Sequence, residues 1–341
     1  MTTCDYFVGL DLGSEQFYAA AGRAPWRLLV RATAFPNTAE GFDQLLAWLG
    51  QHAFSQDRTV LCMEATGVYG EKLAHFLVAR GFRVAIEPPL KVKRAFAPSG
   101  SKTDAVDSQQ IAEYACRFID ELHLWQPRPE LLEQVQVLLT MREQLTTQRT
   151  AHQNALHALR RKAVRTPFAE ELHQQVLDEL RSHLKELDQQ LEQLIAQDPP
   201  SQHFRTLLLT IPGVGLLLAT HWLVLWQTFH HPTQARHCAA YLGISPREHQ
   251  SGKSVHAKPT SRHYGPATPR KLLHLAARSV VTHKPAFRTY YQRKLAEGKP
   301  KKVALNNVAN KLVKIACAVL VSGQPYDPNY CARQPLAQAQ S

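Results

Sequence analysis

Apolar residues in the first 120 positions fall into short continuous runs and into longer stretches with helical spacing. The continuous runs predict strands at Tyr6–Leu12, Gln16–Ala21, Arg27–Ala34, Thr59–Met63 and Phe82–Glu87. Helical spacing predicts helices over Asn37–His52, Tyr69–Arg80 and Asp104–Phe118. Strands and helices that alternate in this way indicate a mixed α/β sheet.

From Pro129 to Ala196 the sequence is polar, rich in Gln, Leu and Glu, and free of glycine, with a break at Thr166-Pro167. Its second half carries leucines at a/d-like intervals, at Leu184, Leu187, Leu191 and Leu194. The pattern predicts two antiparallel helices forming a coiled-coil arm. Such an arm can pair protomers or brace a nucleic acid, and a solvent-exposed helical spacer fits the same residues equally well.

A third region begins after Pro199-Pro200, where apolar stretches with helical spacing flank Pro212-Gly213-Val214-Gly215. This resembles a helix-hairpin-helix, whose tight turn can present backbone N–H groups to a phosphate. A purely structural helix turn is an equally good interpretation. Further along, asparagines and lysines interrupt the apolar stretch 303–321, which predicts an amphipathic helix and no membrane span.

The patterns together predict the α/β plus α class, with a mixed-sheet domain at 1–125, the arm at 126–200 and a mainly helical domain at 201–323. The Pro-, Gln- and Ala-rich segment 324–341 is expected to be disordered. A length of 341 residues allows two or three domains. The six cysteines are scattered and no basic apolar leader is present, so reduced thiols and a cytoplasmic location are expected.

Charge is distributed unevenly: residues 1–200 carry a net −4 and residues 201–341 a net +16. A region this basic should attract nucleic acid through phosphate contacts and counterion release, although a merely soluble basic surface is the alternative. Aromatic residues interleave with its cations, which suits phosphate contact and base stacking. The cations expected to contact nucleic acid are Arg247, Lys253, Lys258, Arg262, Arg270, Lys271, Arg288, Lys301 and Lys302.

Four carboxylates stand at the ends of predicted elements, as in a ribonuclease-H-like nuclease core. Asp11 and Glu64 close apolar runs that predict buried strands. Asp104 and Asp107 are three residues apart on a predicted helix and therefore share one face, which should point at the sheet. Each acid alone fits a turn or a helix cap better, and it is the ordered set of four that predicts catalysis.

Four such acids can hold two divalent cations about 3.5–4 Å apart, which assist the attacking and leaving oxygens of a phosphodiester. Mg²⁺ is the predicted cofactor because it prefers oxygen ligands in octahedral geometry. Asp11-Leu12-Gly13 also resembles the first phosphate loop of the actin and sugar-kinase fold. That fold needs a second Asp-x-Gly loop, which the rest of the sequence lacks.

A serine in the basic region is a candidate nucleophile. The stretch Gln250-Ser251-Gly252-Lys253-Ser254 ends like a Walker A loop, but Arg247 stands where the first glycine is required. The hydroxyl of Ser251, with several cations near it in the sequence, can attack phosphorus. From spacing alone, a serine beside glycine is more often a turn residue.

Together the residues resemble the DEDD transposases of the insertion-sequence-110 family, relatives of the Piv and MooV DNA invertases, over nearly the whole chain. The matching motifs are Gly9-Leu-Asp11, Glu64-Ala-Thr-Gly67-Val-Tyr69, Lys102-Thr-Asp104-Ala-Val-Asp107, Ile211-Pro-Gly-Val-Gly215, Ala240-Tyr-Leu-Gly243-Ile-Ser-Pro246-Arg247 and Gln250-Ser251-Gly252. The resemblance implies a RuvC-like, ribonuclease-H-like domain, a coiled-coil arm and a C-terminal transposase domain.

The resemblance also implies a chemistry for this chain. Asp11, Glu64, Asp104 and Asp107 would bind Mg²⁺ near the scissile phosphate, and Ser251 of a neighbouring protomer in a dimer or tetramer would form a covalent phosphoserine link with DNA. A structured non-coding bridge RNA would pair with target and donor DNA. The expected activity is that of a transposase or site-specific DNA recombinase that moves its own mobile element.

One departure from the family pattern concerns the serine. After Gln-Ser-Gly the family often continues through a Gly-rich basic stretch, whereas this chain has Lys253-Ser254-Val-His-Ala-Lys258. Ser254 is therefore a competing candidate, and the Gln-Ser-Gly context favours Ser251. Two other functions stay open: a RuvC-like nuclease that only hydrolyses DNA, and a non-catalytic nucleic-acid-binding protein.

Overall fold

The computed structural model describes residues 4–65, 67–96, 103–228, 235–251, 255–261 and 265–329, and gives the backbone alone at 227–228, 246–251 and 255–261. The chain divides into two units, residues 1–127 and 128–341. The first unit combines a sheet with helices. The described part of the second is helical apart from one β-hairpin.

A five-stranded mixed sheet forms the centre of the first unit. An antiparallel meander of β1 (Tyr6–Leu12), β2 (Gln16–Arg23) and β3 (Arg27–Pro36) is extended beside β1 by β4 (Thr59–Glu64) and β5 (Arg83–Glu87). The strand order is β3-β2-β1-β4-β5, with β4 parallel to β1 and β5 parallel to β4. The prediction of a mixed sheet is confirmed.

Helices cover both faces of this sheet. Helices α1 (Ala39–Gln51) and α2 (Glu71–Ala79) pack on one face, and α3 (Pro89–Arg94) and α4 (Asp104–Arg117) on the other. Neighbouring strand positions point to opposite faces, so Leu10 and Met63 lie in the core under α1 and α2, while Phe7 and Cys62 lie in the core under α4.

Two 30-residue helices, α5 (Glu130–Leu159) and α6 (Pro167–Ala196), open the second unit. They run antiparallel, because Arg142 near the middle of α5 bonds Asp188 of α6 (Nε to Oδ1, 2.6 Å), while His152 further along α5 meets His173 earlier in α6. The buried side of α6 carries Leu177, Leu180, Leu184, Leu187, Leu191 and Ile195. Supercoiling of this pair and its role as an arm stay predictions.

Six further helices and a hairpin complete the described chain. They are α7 (Pro199–Leu209), α8 (Leu216–Thr228), α9 (Ala235–Tyr241), β6 (Pro246–Ser251), β7 (Val255–Ser261), α10 (Ala267–His283), α11 (Pro285–Ala296) and α12 (Lys301–Ser322). All six helices contribute side chains to one apolar core. β6 and β7 pair antiparallel, with Ser251 opposite Val255.

The turn between α7 and α8 packs against α10. Gly213 has a φ of +80°, and a Cβ there would lie 2.7 Å from Cγ1 of Val280. Ile211 and Val214 on either side are buried. These contacts give the turn a structural role, and phosphate binding by its N–H groups stays a prediction.

Helix α12 is long and apolar enough to cross a membrane by length and composition, but 44% of its most apolar window is buried inside the protein. Its buried residues, which include Val308 and Leu312, lie in the core of the second unit. Beyond α12, the backbone N of Tyr326 donates to Thr210 Oγ1 at 2.9 Å. Residues 330–341 of the segment expected to be disordered lie outside the described residues.

Candidate active site

The first two candidate carboxylates lie at the carboxyl ends of neighbouring parallel strands. Leu10 of β1 is opposite Met63 of β4, so Asp11 and Glu64 occupy the next pair of positions along the ladder. Strand alternation turns both acids away from the face that buries Leu10 and Met63 and toward the face on which α4 packs. Both residues are half-buried.

The other two carboxylates belong to the first turn of α4. The Oγ1 of Thr103 accepts a hydrogen bond from the Val106 N–H at 3.3 Å, and this cap makes the helix begin at Asp104. Negative charge is stabilised at a helix N-terminus by the exposed N–H groups. Asp104 is exposed and Asp107 half-buried at this end of the helix.

A glycine allows α4 to lie against β1 without any intervening side chain. A Cβ at Gly9 would lie 2.1 Å from the carbonyl oxygen of Ser108 and 2.3 Å from the backbone N of Ala112. These distances mean that helix backbone and strand backbone touch. The contact brings the first turn of α4 close to Asp11, two residues beyond Gly9.

Gly9→Ala is therefore expected to push α4 away from the sheet. Overpacking of this kind costs about 1–3 kcal/mol of unfolding free energy, and the displaced Asp104 and Asp107 should reduce DNA strand cleavage well beyond the loss of folded protein. Denaturant unfolding and a cleavage assay on the folded fraction measure the two effects. Gly50→Ala is the matched control, because a Cβ there meets nothing within 4 Å. Full activity in Gly9→Ala would contradict the interpretation.

The four carboxylates lie near enough to one another to interact electrostatically. The pKa of Asp11 is raised from 3.8 to about 6, first by burial and then by the negative charges of Asp107, Asp104 and Glu64. A backbone hydrogen bond at Leu12 acts in the opposite direction. The ionised form of Asp11 is thus disfavoured by burial and by its three acidic neighbours, and a cation placed among the acids would offset the charge repulsion.

A fifth carboxylate, which the sequence analysis missed, lies at the same edge of the sheet. Glu87 ends β5 opposite Glu64 and is only 3% exposed. Its Oε2 lies 3.1 Å from Nζ of Lys91, which compensates its charge. The available signal was that Glu87 closes an apolar strand in the same way as Asp11 and Glu64.

The candidate nucleophile belongs to the second unit. Ser251 is the last residue of β6, and residues 252–254, which include Lys253 and Ser254, lie outside the described residues, as does Arg262. Arg247 and Lys258 are on β6 and β7. The backbone therefore puts Ser251 at the end of a β-hairpin.

Two of the cations expected to contact nucleic acid also bond the protein's own backbone. Arg270 donates from Nη1 to the Leu242 carbonyl at 3.2 Å, and Arg288 donates from Nε to the Val281 carbonyl at 3.2 Å and from Nη2 to Thr282. Both guanidinium groups hold loops and helix ends in place. The remaining described candidates on helices, Lys271, Lys301 and Lys302, are exposed.

Comparison with known proteins shows two family matches in the chain. A transposase model named for DEDD transposases of the IS110 group matches residues 8–163, and a model of the IS116/IS110/IS902 transposase family matches residues 205–292. The first covers all four carboxylates and the second covers Ser251.

Relatives match over almost the whole chain. A pilin gene-inverting protein of Moraxella bovis is 31% identical over 330 residues, covering 94% of this chain and 97% of that protein. A transposase for insertion sequence element IS1328 of Yersinia enterocolitica is 25% identical over 351 residues, covering 93% and 97%. Among solved structures, T. thermophilus RuvC in complex with a Holliday junction substrate matches 36% of this chain and 99% of that chain, with 15% identity and a TM-score of 0.29.

The matches define the class of protein as an enzyme of DNA transposition and recombination. The chain belongs to the IS116/IS110/IS902 family of transposases.

Proposed function

We propose that this transposase cleaves and exchanges DNA strands at a Mg²⁺ site formed by Asp11, Glu64, Asp104 and Asp107, with Ser251 as the nucleophile. The observation that carries the proposal is the group of acids at the end of β1, where burial and then the charges of three neighbouring acids raise the pKa of Asp11. A half-buried acid with three acidic neighbours is a costly arrangement unless a cation offsets the charge.

The strand arrangement supports a ribonuclease-H-like, RuvC-like assignment for the first unit. An antiparallel meander is followed by two parallel strands, and the acids lie at the ends of the adjacent parallel strands β1 and β4. The helix that carries the other two acids packs on the same face of the sheet.

The donor set suits Mg²⁺ because it consists of carboxylate oxygens, which hard divalent cations prefer. When bound, two such cations stabilise the charges on the attacking and leaving oxygens of a phosphodiester. The chain's own contribution is to hold the oxygen ligands on a rigid strand edge and a capped helix end. Lys91 keeps the neighbouring Glu87 paired, so that this buried acid adds little negative charge to the edge.

The proposed strand transfer conserves the phosphodiester bond energy. The Oγ of Ser251 attacks phosphorus and loses its proton, an Oγ–P bond forms, and the bond to the departing deoxyribose oxygen breaks as that oxygen takes up a proton. In the reverse step a deoxyribose hydroxyl of the new partner strand attacks the phosphoserine and frees Ser251. No nucleotide hydrolysis is needed.

We also propose that the chain assembles into an oligomer and that an RNA guides the reaction. The family resemblance supports a dimer or tetramer in which Ser251 of one protomer serves the carboxylates of another, and α5 with α6 is the candidate pairing element. It likewise supports a bridge RNA that pairs with target and donor DNA. The net charge of +16 in residues 201–341 suits the binding of such polyanions.

Purification from cells that carry the native element, followed by sequencing of the bound RNA, tests the guided reaction. We expect one element-derived RNA to be strongly enriched, and changes in its pairing segments to redirect insertion. Asp11→Asn is the matched control and should retain the RNA, because the acids repel rather than bind a polyanion. Insertion at an unchanged rate and at the same sites in cells that lack the element-derived RNA would contradict guidance by RNA.

A further inference from the structure

A concave pocket of about 510 Å³ opens in the second unit between α9, α11 and α12. Its volume falls within the ~300–1,000 Å³ typical of ligand sites. The residues that give it chemical character are Arg236, Ser245, Tyr290, Asn307, Lys311 and Lys314.

The pocket is positively charged, since the described residues that line it include three cations and no acid. The acid at the end of α11, Glu297, is already bound by Lys294 (2.8 Å) and Lys299 (3.6 Å). Arg236 and Lys314 are exposed. Cations gathered in a concave surface concentrate an attractive potential for anions.

Tyr290 holds one of the pocket cations in place. The Nζ of Lys311 lies 4.7 Å from the centre of the Tyr290 ring, over which Arg293 also lies. The negative face of an aromatic ring attracts a cation. Lys311 is therefore ordered before any ligand arrives, which lowers the entropic cost of binding an anion.

Asparagines of α12 hold in place the backbone segment that precedes the β6–β7 hairpin. The carbonyl of Ile244 accepts hydrogen bonds from Nδ2 of Asn306 at 2.7 Å and from Nδ2 of Asn310 at 3.1 Å. The buried Nδ2 of Asn307, between them, has no hydrogen-bond partner within the described part of the chain. A buried donor without an acceptor is costly, and Asn307 is also one of the residues that line the pocket.

This segment leads directly into β6, the strand that carries the candidate nucleophile. Ser245 lines the pocket, Pro246 begins β6, and Ser251 ends it. Six residues of extended chain reach at most about 22 Å. Phosphates of one B-DNA strand advance about 3.4 Å each, so a phosphate in the pocket and one at Ser251 are at most about six nucleotides apart.

We propose that this pocket binds the phosphodiester backbone of the DNA strand on which Ser251 acts, with Lys311, Lys314 and Arg236 contacting phosphate oxygens. The inference rests on the proposed function for the identity of that strand. Cations of this kind position a nucleic acid without reading its sequence. The pocket would fix the register of the strand relative to the hairpin.

The test uses the full chain with its bound RNA, and measures the affinity for a fluorescent donor-end DNA by anisotropy as salt is varied. In Lys311→Gln/Lys314→Gln, the slope of log affinity against log salt is expected to fall by about 0.7–0.9 for each phosphate that the protein no longer neutralises. Lys185→Gln, on α6 and outside the pocket, is the charge-matched control and should keep the wild-type slope. Lys314→Gln alone removes only an exposed side chain, so it tests the pocket even if the double variant folds poorly.

The inference would be overturned if both pocket variants kept the salt slope of the parent protein. It would also be overturned if the variants changed the salt slope for free guide RNA and left the slope for DNA unchanged. All the proteins compared, including the parent and the control, carry Ser251→Ala, so that only non-covalent binding is measured. Failure of the serine mechanism would leave these slopes unaltered. Failure of the pocket would leave covalent attack by Ser251 unaltered, so the two results are distinguishable.

Discussion

Ser251→Ala is expected to abolish the covalent link between protein and DNA and to lower strand exchange by roughly 10⁴–10⁶-fold, as loss of a catalytic nucleophile does. Only the Oγ atom is removed, at the end of β6, and the carboxylates lie in the other unit. DNA binding and divalent-cation binding should therefore persist. Denaturing electrophoresis of the protein with labelled donor DNA detects the adduct.

Ser254→Ala is the matched control for this change, since the two serines are three residues apart in the same basic segment. It should form the adduct normally. The reverse result, with the adduct lost in Ser254→Ala and kept in Ser251→Ala, would assign the nucleophile to Ser254. Metal-dependent cleavage without an adduct, unchanged in both variants, would indicate a hydrolytic nuclease.

Asp11→Asn is expected to lower strand cleavage by about 10³-fold. Asp11 is the acid on which the charges of the other three converge, and an amide there weakens cation binding at the centre of the site. Stabilisation of transition-state charge by bound cations amounts to several kcal/mol, and each 1.36 kcal/mol is tenfold in rate. Single-turnover cleavage at saturating protein measures the loss. Asp120→Asn, an exposed acid of the same unit outside the site, should be fully active.

Although Asp11→Asn is expected to lower cleavage, it is also expected to remove a pH-dependent loss of folding stability. In the metal-free protein the pKa of Asp11 is about 6 when folded and near 3.8 when unfolded, so the folded state binds more protons between these values. The free energy of unfolding should therefore fall as the pH rises from about 4 to about 6. Asp11→Asn lacks this contribution and should have a flatter pH profile in denaturant unfolding with a chelator present. Identical profiles for the two proteins would contradict the electrostatic cluster.

The parts of the site that follow local patterns were accessible from the sequence. Asp11 and Glu64 each close an apolar strand, and Asp104 with Asp107 opens a capped helix, so their spacing already places them on matching element ends. The role of Gly9 was not accessible, because the backbone contact with Ser108 depends on how α4 crosses the sheet. Glu87 carries the same strand-end signal as Asp11 and Glu64, since it also closes an apolar strand.

The basic region was less predictable, because a cation's role depends on what surrounds it. Arg270 and Arg288 are predicted from the sequence to contact nucleic acid, and the fold gives both of them hydrogen bonds to carbonyl oxygens of their own chain, which the sequence does not reveal. In the sequence, Lys311 and Lys314 are recognisable only as polar interruptions of an apolar helix. The fold places them in a pocket with Arg236, which lies more than 70 residues earlier in the chain. Only tertiary packing brings such distant segments together.

A Mn²⁺ titration followed by electron paramagnetic resonance tests the proposal that the four carboxylates hold divalent cations. Mn²⁺ accepts the same oxygen ligands as Mg²⁺. We expect wild-type protein to bind two ions per chain with the magnetic coupling of a pair about 3.5–4 Å apart, and Asp11→Asn to lose that pair while Asp120→Asn keeps it. Binding in Asp11→Asn equal to that in wild type, or no binding in wild type at millimolar Mn²⁺, would contradict the claim.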